Sequence, residues 1–521
     1  MIKKHPIELI FATVFIALSI VLNLQFLEGS NINHTIAGHD EYIAVKEVYS
    51  ILHPVSFKHF IMAVISGNAL YYGRIMFYLD ALFAFLPFKI WGVTGMVFTI
   101  RMVHAGFLLA ALLLLCNTFL NSTLQKVLFY TGTFCLYYTM YFIMMPKPEP
   151  HQLFFLALFL NRFKHSGWTF GRHFFWMGIA YGLKFNMLLL LPLVFTIPLI
   201  KKGGIQWMSD FASGLKSLGF LMGGILAAIP CLVLTPLRPV FLQTYLHETF
   251  GGTVKSYDDA ALTANDWLLS GLGGSYLGHW IWAYPFIILV LAALFLSVRR
   301  AVSTRDFSIP VLLISGLMLT IVIIFNTKRL WPHYLWTGYV LMLLGLIAAT
   351  DVQKQMKGRR ISVYLLFLCT GSSVFFYLKR ELPMYLGLSA KPDIRQTIAL
   401  SHKAIDYLRY RYPGKRIGTD ASLLYPFKDY VQVDVYHPFS GRAPETVETR
   451  FDWYGDAPQN IWEDSNAAVV FYDRHPEKIL KENMNVYAGR HDTLFAIYRN
   501  RIQSDFEHDT AFEGVHIFRR K

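Results

Sequence analysis

The sequence predicts a mainly α-helical, polytopic membrane protein that carries a soluble α/β domain at its C-terminal end. Three observations lead there. Of 521 residues, 54% are hydrophobic and only 16% charged, with mean hydropathy +0.39, a balance outside the range of ordinary soluble domains. Apolar stretches of roughly 17 to 25 residues, long enough to cross a bilayer as a helix, recur as far as residue 378. From Lys379 onward the chain turns to mixed charged and apolar residues with turn signals, and no further span occurs. Helices are the expected spanning form, because a helix satisfies its own backbone hydrogen bonds where no water is present.

The first span, Glu8 to Leu27, follows Lys3 and Lys4; its length and the lack of a small-x-small cleavage site predict a retained helix with its N-terminus inside. Residues 28–95 form a first outer loop. Within it, Arg74 to Trp91 is apolar enough to compete as a span, yet it carries Arg74, Asp80, Pro87 and Lys89. Counting it would reverse every later loop, so it is read as interfacial. The further spans run Met96–Leu120, Val127–Met145, Leu153–Phe163, Phe174–Leu183, Phe185–Ile200, Leu218–Pro236, His279–Val298, Ile309–Asn326, Tyr334–Thr350 and Ile361–Leu378. With the first helix that makes about 11, of which the three between Leu153 and Ile200 are short. The inside loops then hold Lys3–Lys4, Arg162 with Lys164 and Arg172, Lys201–Lys202, Arg299–Arg300 with Arg305, and Lys354, Lys357, Arg359 and Arg360. That bias is the positive-inside rule. It accounts for the net charge of +14 without a nucleic-acid partner. Cys116, Cys135, Cys231 and Cys369 all lie in apolar segments without metal-ligand spacing, which excludes a disulfide framework or zinc ribbon.

Two domains follow, a membrane domain over 1–378 and a soluble domain over 379–521. A second large outer loop, 237–278, carries Tyr245, His247, Glu248, Asp258, Asp259, Asp266 and Gly271 to Gly274. It has the composition of a loop that closes over a substrate, and equally that of any mobile surface loop. In the tail, residues 415–418, 430–436, 467–472, 493–499 and 514–518 read as strands, and 393–410 and 475–483 as helices. The tail holds no phosphate-binding glycine loop and no His-Glu zinc motif, so it is expected to serve as a lid or acceptor platform. With an odd number of spans it lies on the outer side, where four polar clusters also gather.

The first cluster is His39-Asp40-Glu41, adjacent carboxylates just past the first span; a helix N-terminal cap is the plain alternative. The second is Lys147, Glu149 and His151, among three prolines at the outer mouth of a span, where prolines also simply end a helix. The third is Lys184 at a tight outer turn, which taken alone reads as a snorkelling lysine. The fourth is Lys328 and Arg329 with His333 in a short outer loop. Two cations there run against the usual charge bias and suit an anion such as a lipid phosphate.

Together these places resemble the GT-C glycosyltransferases, membrane enzymes that take sugars from polyprenyl-phosphate carriers. Asp40-Glu41 after the first helix resembles the Asp-Glu motif of protein O-mannosyltransferases and of the lipid A aminoarabinose transferase. Tyr71-Tyr72-Gly73-Arg74 through Phe88-Lys89-Ile90-Trp91-Gly92 is similar to their juxtamembrane helices, which end in an aromatic-Lys-x-x-Gly pattern. Lys147-Pro148-Glu149-Pro150 matches the place of the superfamily's second acidic motif, although a single acid stands there, and the outer α/β tail resembles that of many bacterial members. The match covers most of the membrane region in layout.

The resemblance implies a polyprenyl-phosphate sugar donor, an outer acceptor that is a lipid, a glycan or a protein, and a bacterial inner membrane with site and tail in the periplasm. Transfer needs a base for the acceptor hydroxyl, for which Asp40 is the candidate, with Glu41 orienting the acceptor or a cation. The leaving phosphate gains charge as the bond breaks, so Arg74, Lys184, Lys328, Arg329 and His333 are candidates to hold it. His39, Tyr71, Tyr72, Lys147, Glu149 and His151 are candidates for the sugar or acceptor pocket. Glu41, Glu149 and His151 are possible ligands of a divalent cation. A single carboxylate acting as base implies inversion at the anomeric carbon. The competing readings are a transporter or flippase for a lipid-linked sugar, which also places charges at helix ends, and a polysaccharide ligase or polymerase, whose large outer loop is Arg- and His-rich where this one is acidic.

Overall fold

The computed structural model describes residues 6–25, 39–54, 57–65, 73–201, 207–232, 263–326, 332–352, 359–387, 392–413, 416–419, 431–434, 469–472, 504–513 and 515–521. It is a mainly α-helical, multi-pass membrane protein with a small α/β unit at the C-terminal end. Among the described residues five helices are long and apolar enough to cross a membrane: Pro6–Leu24, Arg74–Phe119, Phe211–Ala228, Trp280–Thr304 and His333–Thr350. Thr123–Phe134 and Tyr138–Met144 make a sixth if joined across their 68° bend, and Phe174–Leu183, Leu191–Lys201 and Ser308–Ile324 are shorter apolar helices. Two of the expected spans, Val127–Met145 and Phe185–Ile200, are therefore built from pieces. Each break has a local cause: Leu136 and Lys184 take extended backbone conformations between helices, and the segment Phe185–Leu190 between two short helices winds as a 3-10 helix.

The helix Arg74–Phe119 contains one such break at Gly92, with φ 64° and ψ −148°, a region of backbone space open essentially to glycine alone. It falls where the charge count separates the interfacial segment from the span. Before the break, Met76, Phe77, Asp80, Ala81 and Ala84 face inward while Leu82, Phe83, Phe85, Leu86, Ile90 and Trp91 are exposed. Such an apolar outer face suits a helix lying against lipid.

Contacts between elements sort by membrane face. On the side expected to be inner, Lys126 pairs with Glu8 at 2.5 Å, Lys164 Nζ donates to the Thr118 carbonyl at 2.7 Å, and Arg305 donates to the Ile200 carbonyl at 2.8 Å. On the opposite side, Lys184 meets Glu149 and Gln25 donates to the Tyr385 carbonyl. The basic side chains expected on the inner side thus tie helix ends together.

Close backbone approach packs Phe174–Leu183 against Trp207–Ala228. A Cβ added at Gly178 would stand 2.0 Å from the Leu221 carbonyl oxygen, and one at Gly224 would stand 2.1 Å from that of Phe175. Glycines let helices approach in this way where lipid removes the hydrophobic drive for association.

In the tail, five strands, β1 (Arg416–Thr419), β2 (Val431–Asp434), β3 (Val469–Tyr472), β4 (Phe506–Phe512) and β5 (Val515–Arg520), form one sheet in the order β2-β1-β3-β5-β4. β1 is parallel to β2 and β3, and β5 is antiparallel to β3 and β4. Helix Pro392–Arg411 packs on this sheet, and Tyr407 and Tyr412 donate to Asp509 on β4 at 2.8 and 2.5 Å. Four of the expected strands coincide with β1, β2, β3 and β5. The sequence reading missed β4, because Phe-Glu-His-Asp-Thr-Ala-Phe is a polar edge strand without apolar alternation. The expected strand at 493–499 and helix at 475–483 lie outside the described residues.

Two outcomes are expected. Gly178→Val forces the helix pair apart, lowering stability by about 1–3 kcal/mol and the midpoint of thermal unfolding in detergent. At the inner turn before Phe174–Leu183, burial among Phe159, Phe163 and Phe174 pushes the His173 ring down to about 4 from 6.5. The unfolded chain takes up this proton below pH 6.5 and the folded chain only near pH 4, so stability declines as pH falls through that window. In His173→Phe this part of the acid dependence of thermal unfolding disappears.

Candidate functional site

The end of the bundle that carries residues 145–151 gathers several buried polar side chains, among them Asp80, His104, Lys147, Glu149 and His151. The segment Met145-Pro146-Lys147-Pro148-Glu149-Pro150-His151 starts it. Helix Pro148–His165 begins with Lys147 as its N-cap and proline in its first turn, where a missing N–H costs nothing. Glu149 in that first turn is favoured by the helix dipole. Its Oε1 accepts from Lys184 Nζ at 2.5 Å, with the Glu149 side chain 4% exposed and that of Lys184 23%. Lys184 also lies over the Tyr334 ring, 4.2 Å from its centroid.

Lys184 is held by its own backbone break. The chain leaves helix Phe174–Leu183 at Lys184, freeing carbonyls that the next turn would otherwise engage. Gln152 Nε2 collects them, donating to the Ala180 carbonyl at 3.0 Å, the Lys184 carbonyl at 2.6 Å and Asn186 Oδ1 at 2.9 Å. Gln152 and Glu149, three residues apart on one helix, therefore grip the backbone and the ammonium of the same lysine.

A second layer lies beneath. Asp80, His104 and His151 are fully buried. His104 Nδ1 is 2.9 Å from the Lys147 carbonyl and Nε2 is 2.9 Å from Asp80 Oδ2. His151 Nε2 stands 3.8 Å from Asp80 Oδ1, its ring edge-on to His104 with centroids 4.4 Å apart. Because a carbonyl only accepts, His104 Nδ1 carries a proton, which fixes the ring's orientation. The N-cap residue of the helix bearing Glu149 is thereby tied to Asp80 across two helices.

Arg74 is engaged by protein groups. It is 1% exposed, its Nη1 donates to Glu47 Oε2 at 2.5 Å, its Nη2 bonds the Ala63 carbonyl, and its guanidinium carbon lies 4.8 Å from the Phe77 ring. These partners clamp helices His39–Leu52 and Phe57–Ile65 onto Arg74–Phe119. His151 has no exposed surface and belongs to the buried layer. His333, in the short turn Pro332–Leu335, stacks at 5.6 Å on Tyr141 and sits 6.3 Å from Tyr138, which stacks on Tyr276. These rings wall the outer layer.

His39, Asp40 and Glu41 form the first turn of helix His39–Leu52, and their side chains, like Tyr71, Tyr72, Lys328 and Arg329, lie outside the described residues. The structure brings Lys147, Glu149, Lys184 and His333 to one end. The sequence reading passed over Glu47, His104 and Gln152 as site residues, and Asp80 served it only as an argument against a span. An ionisable side chain inside an apolar span is itself a flag, and His104 within Met96–Leu120 carried it.

The pair Glu149–Lys184 yields an expected outcome. Lys184→Met leaves a buried carboxylate without its cation and lowers stability by on the order of 3 kcal/mol, while Glu149→Gln combined with Lys184→Met costs less than that single change. Thermal unfolding midpoints of the three proteins check it.

No protein-family model and no curated protein matches the sequence. Solved structures do match the fold. The apo crystal structure of ArnT from Cupriavidus metallidurans aligns with TM-score 0.61 at 11% identity, covering 97% of both chains. The same protein bound to undecaprenyl phosphate aligns with TM-score 0.56 at 13% identity, again over 97% of both. Across nearly its whole length, membrane bundle and tail together, the chain has the fold of ArnT.

Proposed function

We propose that this chain is an integral membrane glycosyltransferase that moves a sugar from a polyprenyl-phosphate donor to a hydroxyl acceptor at the outer face of a bacterial inner membrane. The observation that carries this reading is the end-to-end likeness to ArnT, a protein crystallised with undecaprenyl phosphate. The cluster of Lys147, Glu149, Lys184 and His333 at one end of the bundle supports it, because a lipid phosphate entering at the membrane surface needs a cation in a site partly shielded from water.

In this reading the acceptor oxygen attacks the anomeric carbon as the bond to the lipid phosphate breaks. The acceptor proton passes to the Asp40 carboxylate and the electron pair leaves with the phosphate. Lys184 is the cation best placed among the described residues, since it is anchored by Glu149 and Tyr334 yet partly exposed. A phosphate approaching it gains most when its charge rises, which is at the transition state. Lys328 and Arg329 would add to that charge from the neighbouring loop, and Glu41 would orient the acceptor. Arg74 contributes indirectly, because through Glu47 it anchors the helix whose first turn holds Asp40 and Glu41. Direct displacement with one base inverts the anomeric centre.

Reconstituted full-length protein, given polyprenyl-phosphate sugars and candidate acceptors, is expected to release free polyprenyl phosphate. Asp40→Asn should lower that turnover by about 10²- to 10⁴-fold while donor binding persists. Movement of the intact lipid-linked sugar between leaflets, without bond cleavage, would instead establish the transporter reading.

A further inference from the structure

We infer that Asp80, His104 and His151 bind one divalent transition-metal ion, a structural site that clamps the kinked helix to the segment carrying Glu149. His104 sets the geometry of the cluster. Its Nδ1 holds a proton for the Lys147 carbonyl, so a neutral ring turns the lone pair of Nε2 toward Asp80 Oδ2, 2.9 Å away. Two acceptors at that distance need a positive centre beside them, either a proton or a metal ion.

The rest of the cluster decides between the two. Asp80 Oδ1 and both ring nitrogens of His151 are buried without a hydrogen-bond partner among the described residues. A proton shared by His104 and Asp80 leaves all three of these unsatisfied. A metal ion engages the Asp80 carboxylate and one nitrogen of His151 as well as His104 Nε2, and the three ligand atoms already lie within 4.8 Å of one another. Bonds of about 2.0–2.1 Å around a tetrahedral ion require a modest contraction from that spacing. Two imidazoles and a carboxylate are a donor set for zinc and its first-row neighbours rather than for magnesium or calcium. The N–H of His104 directed at a backbone carbonyl is also the usual outer support of a metal-bound histidine.

Placement gives the ion its role. Asp80 precedes the break at Gly92 and His104 follows it, so a chelate through both holds the angle of the kink. His151 lies two residues beyond Glu149 on the helix that Lys147 caps. The site therefore sits under the Glu149–Lys184 pair and fixes its floor, taking no part in the sugar-transfer step.

Full-length protein in detergent, stripped with a chelator, equilibrated with zinc chloride and desalted, is expected to retain about one zinc ion per chain more than the Asp80→Asn, His151→Gln double variant. Zinc should raise the thermal unfolding midpoint of the parent protein and leave the variant's unchanged. Zinc-edge X-ray absorption of the loaded parent, which does not depend on the variant folding, should show imidazole and oxygen ligands. A parent protein that desalts free of zinc with an unmoved midpoint, a variant that retains as much zinc as the parent, or a spectrum without imidazole would overturn the assignment and leave a shared proton in its place. None of these readouts uses sugar transfer, so the site stands or falls apart from the proposed reaction.

Discussion

The end of this bundle that carries Glu149 depends on one polar connection, from Asp80 through His104 to the carbonyl of Lys147. It crosses the break at Gly92, ties both halves of the long kinked helix to the start of Pro148–His165, and so determines where Glu149 stands. A polar link of this kind is costly to place among apolar helices, because each of its groups loses water and must recover the loss from protein partners. Once in place it is specific for the same reason: a shift that parts His104 from Asp80 or from the Lys147 carbonyl leaves buried polar groups without their partners.

The other buried charges are under the same constraint. Glu149 and Lys184 pair across two helices, and Arg74 takes both Glu47 and a backbone carbonyl. None is a surface ion pair screened by solvent, so each reports a helix position more than a gain in stability. Backbone breaks serve the same end. At Lys184 the interruption frees carbonyls, and Gln152 gathers them, so the lysine is presented by a short rigid turn instead of a mobile loop.

Membrane character and four strands of the tail were legible in the sequence because each is a one-dimensional pattern. Runs of apolar residues mark spans, basic loops mark the inner face, and β-branched runs bounded by turns mark β1, β2, β3 and β5. The site was legible only in part. Glu149 and Lys184 are 35 residues apart in the chain and both were candidates, but their pairing rests on how two helices cross. Arg74 read as a phosphate ligand because a lone arginine near an interface invites that role, and its partners Glu47 and Ala63 carry no signal of meeting it. β4 escaped because an edge strand needs no apolar alternation.

The sequence by itself determined that the chain enters a membrane as a mainly helical protein and that its last part carries short strands. Those are consequences of composition and local backbone chemistry, which act on neighbours in the chain. Tertiary structure decided which polar residues meet: it joined Asp80, His104 and His151, gave Lys184 to Glu149, and withdrew Arg74 into a clamp. These are matters of helix crossing, and within an apolar bundle the partner that satisfies a buried charge is set by packing rather than by distance along the sequence.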